Sequence, residues 1–279
     1  MALPRSPGSW HYAESPVTVQ VGGAPLHACA GFEQAGFGSV VVSVVGGLAT
    51  PGGDLGPDGL GAYLLSELDR RGQRHDVEVG TGCRTGRVVL LYPHDGGRVM
   101  VADAAGIAAM SPGHVDASIR RAAASHRHVV GSISGYLYFN DAADRIRRAA
   151  VSALRETGGL LWVDVVPHDL YTVLTFDEFR AAVTGLHFLS MDEETCGGFA
   201  AKAGVTETEL LADLRELGII VFLDRQGRVD RIGGREDRSV VHRPDAERTP
   251  GATDVTIAGE IARQAADLLG LRVLQPPRA

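Results

Sequence analysis

Lysine is nearly missing from this chain of 279 residues. Lys202 is the only one, so almost all of the 27 basic residues are arginines. That excludes a lysine-based phosphate cradle of the Walker type and speaks against Schiff-base chemistry. Cysteine is scarce as well: Cys29, Cys83 and Cys196 are odd in number and far apart, without the close pairs that zinc sites or redox motifs need. A reducing, cytoplasmic setting is expected. No stretch supplies the ~18 consecutive apolar residues of a membrane span, and the N-terminus lacks the apolar core of a signal peptide. No block of like charge interrupts a chain of net charge −7, so neither nucleic acid nor an anionic membrane is expected as a partner. The 36 glycines follow no collagen-like period and form no Gly/Ser linker, which excludes fibrous and disordered classes.

What the chain does have is 44% hydrophobic residues gathered into short β-rich runs: Val40 to Val45, Val88 to Leu91, His128 to Ile133, Leu160 to Val166 and Ile219 to Leu223. Burial of both faces in a mainly parallel sheet explains runs of this kind. Helical patterns lie between them, one predicted over Asp141 to Thr157 behind Asn140 and before Gly158, another opened by a Thr206 to Glu209 capping box and stopped near Gly218. The alternation predicts βαβ units in a single α/β domain over 1–279. The segment Arg87 to Val101 differs. Two apolar strands flank Pro93-His94-Asp95-Gly96-Gly97, a hairpin signal, and the alternating stretch Pro16 to Val21 is expected to pair with it as a small β lid.

Near the C-terminus the chain reads Arg248-Thr249-Pro250-Gly251-Ala252-Thr253-Asp254, a turn of small residues running into an amphipathic helix through Leu269. Free N–H groups at such a start attract an anion, and a carboxylate there can take a proton from a hydroxyl. The same carboxylate can also simply cap the helix.

These pieces, in this order, resemble the ribokinase, or PfkB, family of sugar and nucleoside kinases. Thr249, Gly251, Ala252 and Asp254 match its C-terminal Asp-Thr-x-Gly-Ala-Gly-Asp signature, with Gly259 in the helix beyond. Gly22-Gly23-Ala24 resembles the segment opening its substrate-site helix, Gly56-Pro57-Asp58-Gly59-Leu60-Gly61 its Gly-x-Asp-x-x-Gly stretch, and Thr85-Gly86 its lid-strand pair. Asp164 matches the Asp after its central strand and Glu194 the Glu of its Asn-x-x-Glu motif. The resemblance runs from about residue 16 to residue 260. It implies a ribokinase-like three-layer sandwich with a mostly parallel central sheet, and a homodimer paired through its lids. It implies transfer of the γ-phosphoryl of ATP, with Mg²⁺, to a hydroxyl of a sugar, nucleoside or related small metabolite. Asp254 would be the base, Gly251, Ala252 and Thr253 the anion hole, and Glu194 the residue near the metal. Gly22, Gly23, His27 and Asp164 would bind the acceptor, His27 standing where the family has Asn. Asp224 and Gly227 fall in the nucleotide loop.

The departures concern that chemistry. Met191 replaces the motif's Asn, Thr253 its middle Gly and Arg248 its leading Asp. Asp224 introduces an anion beside the phosphates unless Arg225 turns in to compensate. The family's first strand and its last helix, which walls the purine, have no counterpart in the Pro- and Gly-rich opening or after Leu274. These departures define an alternative: a ribokinase-fold protein without ATP use that binds a metabolite, regulates a partner or runs different chemistry.

Overall fold

Three apolar runs that each end in aspartate set the architecture. LLWVD, FLSMD and IVFLD form strands whose first four residues are all buried, as expected for a sheet covered on both faces. The computed structural model describes residues 20–91, 99–103, 106–225, 228–234, 236–241 and 252–271. The elements begin with α1 (Ala24–Gln34), β1 (Val41–Ala49), β2 (Leu55–Pro57), α2 (Gly59–Arg70), β3 (His75–Gly80), β4 (Arg87–Leu91) and β5 (Val99–Asp103). Next come α3 (Pro112–Ser125), β6 (Val130–Ile133), α4 (Gly135–Phe139), α5 (Asp144–Glu156), β7 (Leu160–Asp164), α6 (Phe176–Val183), β8 (Phe188–Asp192), α7 (Glu193–Ala203) and α8 (Glu207–Glu216). The chain then forms β9 (Ile220–Asp224), β10 (Arg228–Ile232), β11 (Arg238–Val241) and α9 (Ala252–Leu268).

Contacts divide the described residues into two units, one drawn from those that fall within 22–42, 73–76 and 111–279 and the other from those within 1–21, 43–72 and 77–110. The larger unit holds a six-stranded sheet in the order β11-β10-β9-β8-β7-β6. Strands β6 to β9 run parallel, and β10 and β11 are antiparallel additions. Alternate residues Trp162, Phe188 and Phe222 face one way, onto Ile257, Ile261 and Ala265 of α9 and Phe32 of α1. On β7, β8 and β9 pack α5, α7 and α8. The capping box at α8 is present as expected, with Thr206 accepting from the Glu209 N–H. Asn140 caps a separate 3₁₀ turn, so α5 starts later than the sequence pattern suggests, at Asp144.

α1 and α9 cross at glycines. A Cβ on Gly31 would lie 2.3 Å from the Val255 carbonyl oxygen and 2.6 Å from the Ala258 Cβ, so only a residue without a side chain permits the approach.

The other unit corrects two expectations. Val40 to Val45 does not enter the parallel sheet: β1 lies in a three-stranded sheet, β2-β1-β3, paired antiparallel with β2. Among the described residues Val88 to Leu91 pairs only with β5, from Arg87 against Asp103 to Leu91 against Val99. A continuous apolar run predicts two-faced burial, but Val88 and Val89 are both more than half exposed. The hairpin strands of the expected lid are therefore present. The turn between them and residues 16–19 lie outside the described residues, and Gln20 and Val21 are not in a strand.

Two of the resemblance segments meet in this unit. Asp58 caps α2 through the Gly61 N–H at 2.7 Å and takes the Thr85 hydroxyl at 2.6 Å and N–H at 2.9 Å. The Thr85 Oγ in turn accepts the Gly46 N–H at 2.9 Å. Burial pushes the Asp58 carboxyl up, but these bonds outweigh it and hold it below the usual range. Asp58→Ala is expected to cost about 1–2 kcal/mol in urea unfolding, because it strands two N–H donors and a hydroxyl.

Candidate active site

The aspartates that end β7, β8 and β9 lie along the C-terminal edge of the parallel strands, where open α/β sheets place their ligands. Asp254 joins them from the first turn of α9. There the leading N–H groups have no helical acceptor and the dipole is positive.

Asp254 Oδ2 lies 3.1 Å from His27 Nδ1. Gly23 sets up that contact. It precedes α1 at φ 113°, ψ 148°, a conformation open only to glycine, and the helix then places His27 one turn in. The His27 ring lies over Gly22, with Nε2 3.7 Å from where a Cβ would stand. Because the carboxylate accepts at Nδ1, the neutral imidazole carries its proton there and leaves Nε2 as an acceptor.

Asp164 is placed by close approach. A Cβ on Gly135 would fall 1.8 Å from the Asp164 carbonyl oxygen, so α4 begins directly against the end of β7. The Trp162 indole N–H donates to Ser190 Oγ at 2.9 Å, and the Ser190 hydroxyl donates to Asp164 Oδ1. Burial first, and the Asp254 carboxylate second, push the Asp164 carboxyl up to about 7. A proton that the folded chain holds more tightly than the unfolded one, whose carboxyl titrates near about 3.9, stabilises the fold at low pH. That stabilisation is lost as pH rises through about 7. Asp164→Asn is expected to flatten this slope between about pH 4 and 7 and to raise stability above it, by on the order of a few kcal/mol. Thermal melts across pH check it; a slope unchanged in the variant contradicts the assignment.

The acidic run Asp192-Glu193-Glu194 splits three ways. Asp192 caps α7 through the Thr195 N–H at 2.7 Å and pairs with His168 Nδ1 at 2.9 Å. Burial raises its pKa, but its hydrogen bonds with His168 and Thr195 win and hold it low. Glu193 binds Arg225, and Glu194 is exposed, accepting from the Tyr171 hydroxyl at 3.2 Å. Arg225 pairs with three carboxylates. Its guanidinium is committed to Glu193, Glu207 and Asp230, the last at 3.1 Å, while Asp224 stands beside Asp192 in the sheet register.

The structure thus brings together Asp254, His27 and Asp164, with Gly22 and Gly23 beside His27, and places Ala252 and Thr253 in the first turn of α9. Gly251, Gly227 and Arg248 lie outside the described residues. Ser190, His168 and Asp192 escaped the sequence reading. The repeated apolar-run-plus-Asp pattern could have found Asp192; nothing local marks the other two. Among the described residues no group of three or more His, Cys, Asp or Glu side chains is arranged to hold a metal, and no helix is long and apolar enough to cross a membrane.

No protein-family profile matches the sequence, and no curated protein matches it. Solved structures do match. A PfkB protein from Polaromonas sp. JS666 superposes with a TM-score of 0.66 at 18% identity, covering 97% of this chain and 86% of its own. The adenosine kinase from Sinorhizobium meliloti gives 0.70 at 14% identity, covering 95% and 82%. Fructokinase from Xylella fastidiosa with bound ATP gives 0.68 at 15% identity, covering 89% and 77%. The chain has the ribokinase-like fold of the PfkB carbohydrate kinases. At these identities the likeness is one of fold, and activity has to be argued from the site.

Proposed function

We propose that this protein is an ATP-dependent phosphotransferase acting on a hydroxyl of a small metabolite such as a sugar or nucleoside, with Asp254 as general base. The observation that carries this is the His27-held carboxylate in the first turn of α9, at the ligand edge of a sheet with this fold. His27 fixes Oδ2, which leaves the other carboxylate oxygen to take the acceptor's proton. The first-turn N–H groups of Ala252 and Thr253 stabilise the negative charge that grows during transfer, which is where this reaction gains most of its rate. Asp164, fixed through Ser190, holds the acceptor. Magnesium ATP, when bound, supplies the electrophilic phosphoryl group.

The residues present fit the transferring end. Mg²⁺ keeps most of its waters and needs only one or two carboxylates plus the phosphates, so exposed Glu194 suffices without a closed protein cage. The loop after β9 fits less well: Asp224 and Glu193 face that edge, and Arg225 is spent on carboxylates. That observation favours a second reading, a ribokinase-fold protein that binds a metabolite or partner without ATP. Calorimetric titration with magnesium ATP separates the two. Saturable heat with a Kd of about 1 mM or tighter supports transfer, and none up to that concentration supports the second reading.

A further inference from the structure

At the edge of the six-stranded sheet opposite the aspartates, a cleft of about 340 Å³ opens. It lies between the starts of β8 and β9, the turn after β10 and the end of α9. Ile219, Ile220 and Leu268 make apolar walls, and His187, Arg215, Gly218 and Gly234 complete the lining. The proposed phosphotransfer uses none of these groups.

Three observations give the cleft a chemistry. The first is His187. The Leu161 N–H donates to its Nδ1 at 3.1 Å, so the neutral ring carries its proton on Nε2 as a donor. Burial, and then the Arg155 cation, lower its pKa and keep it neutral. The second is charge. Arg215 lies on the rim with more than half of its side chain exposed, and its single ion pair among the described residues, to Asp237, is long at 3.8 Å. Asp237 is itself held by the Gly233 N–H at 2.8 Å. Arg155 acts on His187 electrostatically and has no ion pair among the described residues, so Arg215 is the cation that lines the cleft. The third is Gln264. It is 8% exposed, has no hydrogen bond among the described residues, and its Oε1 lies 3.2 Å from where a Cβ on Gly234 would stand. Its amide therefore lies beside the cleft, within reach of a polar group on an occupant.

We propose that this cleft binds a small organic carboxylate with an apolar body. The carboxylate lies against Arg215, the body between Ile219 and Leu268, and a polar substituent against Gln264 and the His187 Nε2–H. The volume suits a molecule of one ring or one short branched chain.

The test titrates the full-length protein with benzoate, 4-hydroxybenzoate and 3-methylbutanoate, with neutral benzamide as control. Binding is followed by calorimetry and by the histidine ring signals in a ¹H–¹³C spectrum. The expected result is saturation by at least one carboxylate with Kd of about 1 mM or tighter, shifting His187 and not His27. Arg215→Gln is expected to weaken it about tenfold. Gln264→Leu, which removes the amide beside Gly234, is expected to lose the preference for 4-hydroxybenzoate over benzoate. The proposal is overturned by no saturation up to about 10 mM, by benzamide binding as tightly as benzoate, by Arg215→Gln without effect, or by shifts at His27 instead of His187.

Discussion

Asp254→Asn is expected to lower phosphate transfer by at least about 10²-fold while melting no lower than the parent chain. Asparagine keeps the size and offers His27 Nδ1–H the same kind of acceptor at 3.1 Å, so the α1 to α9 contact survives. What goes is the basicity. Removing that charge also relieves Asp164, whose carboxyl is pushed up partly by Asp254, so stability is expected to hold or rise. A loss of activity with no loss of stability is the signature of a group kept for chemistry. If Asp254 only caps the helix, the order reverses: Asp254→Asn is nearly neutral in activity and Asp254→Ala costs about 1 kcal/mol in stability. Steady-state rates and melting curves on the three proteins separate these outcomes.

Gly31→Ala is expected to destabilise by about 3 kcal/mol, against the helix-propensity rule, which favours alanine over glycine in a helix by about 1 kcal/mol. The new Cβ would stand 2.3 Å from the Val255 carbonyl oxygen, 2.6 Å from the Ala258 Cβ and 3.0 Å from the Gly259 N. All three are α9 backbone atoms or a Cβ fixed to that backbone, so nothing flexible can yield and α1 must move away from α9. His27 lies one turn earlier on α1 and Asp254 one residue before Val255, so the same displacement stretches the pair at the site. The variant is therefore expected to melt about 5–10 °C lower and to lose turnover as well. A melting temperature equal to or above the parent's contradicts the close crossing.

Much of the larger unit was legible because its signals are local. The Thr206 to Glu209 capping box, the positive-φ Gly158 and Gly218 after their helices, and the buried runs of β7 and β9 can all be read within a few residues. Strand β8 was missed: its five residues, interrupted by Ser190, are too short a run to stand out. Strands β10 and β11 were missed because they are polar and antiparallel, with Arg228, Asp230 and Arg238 among their nine residues. The valine run of β1 misled for the opposite reason, since apolar composition does not say how many faces are covered. At the site, Asp254 was visible through its motif. Its pairing with His27, 227 residues away, was not, because only the packing of α1 on α9 makes it. The commitment of Arg225 to Glu193, Glu207 and Asp230 was equally hidden, and it bears most on the loop after β9.

The proposed reaction moves the γ-phosphoryl of ATP to a hydroxyl while Asp254 takes the hydroxyl's proton. Phosphorus NMR of the protein with magnesium ATP and a panel of sugars and nucleosides tests it directly. The expected result is an acceptor-dependent loss of the γ-phosphate signal with growth of a phosphomonoester, present in the parent chain and reduced by at least about 10²-fold in Asp254→Asn. A γ-phosphate signal that no acceptor depletes, or one depleted equally by the parent and Asp254→Asn, contradicts it.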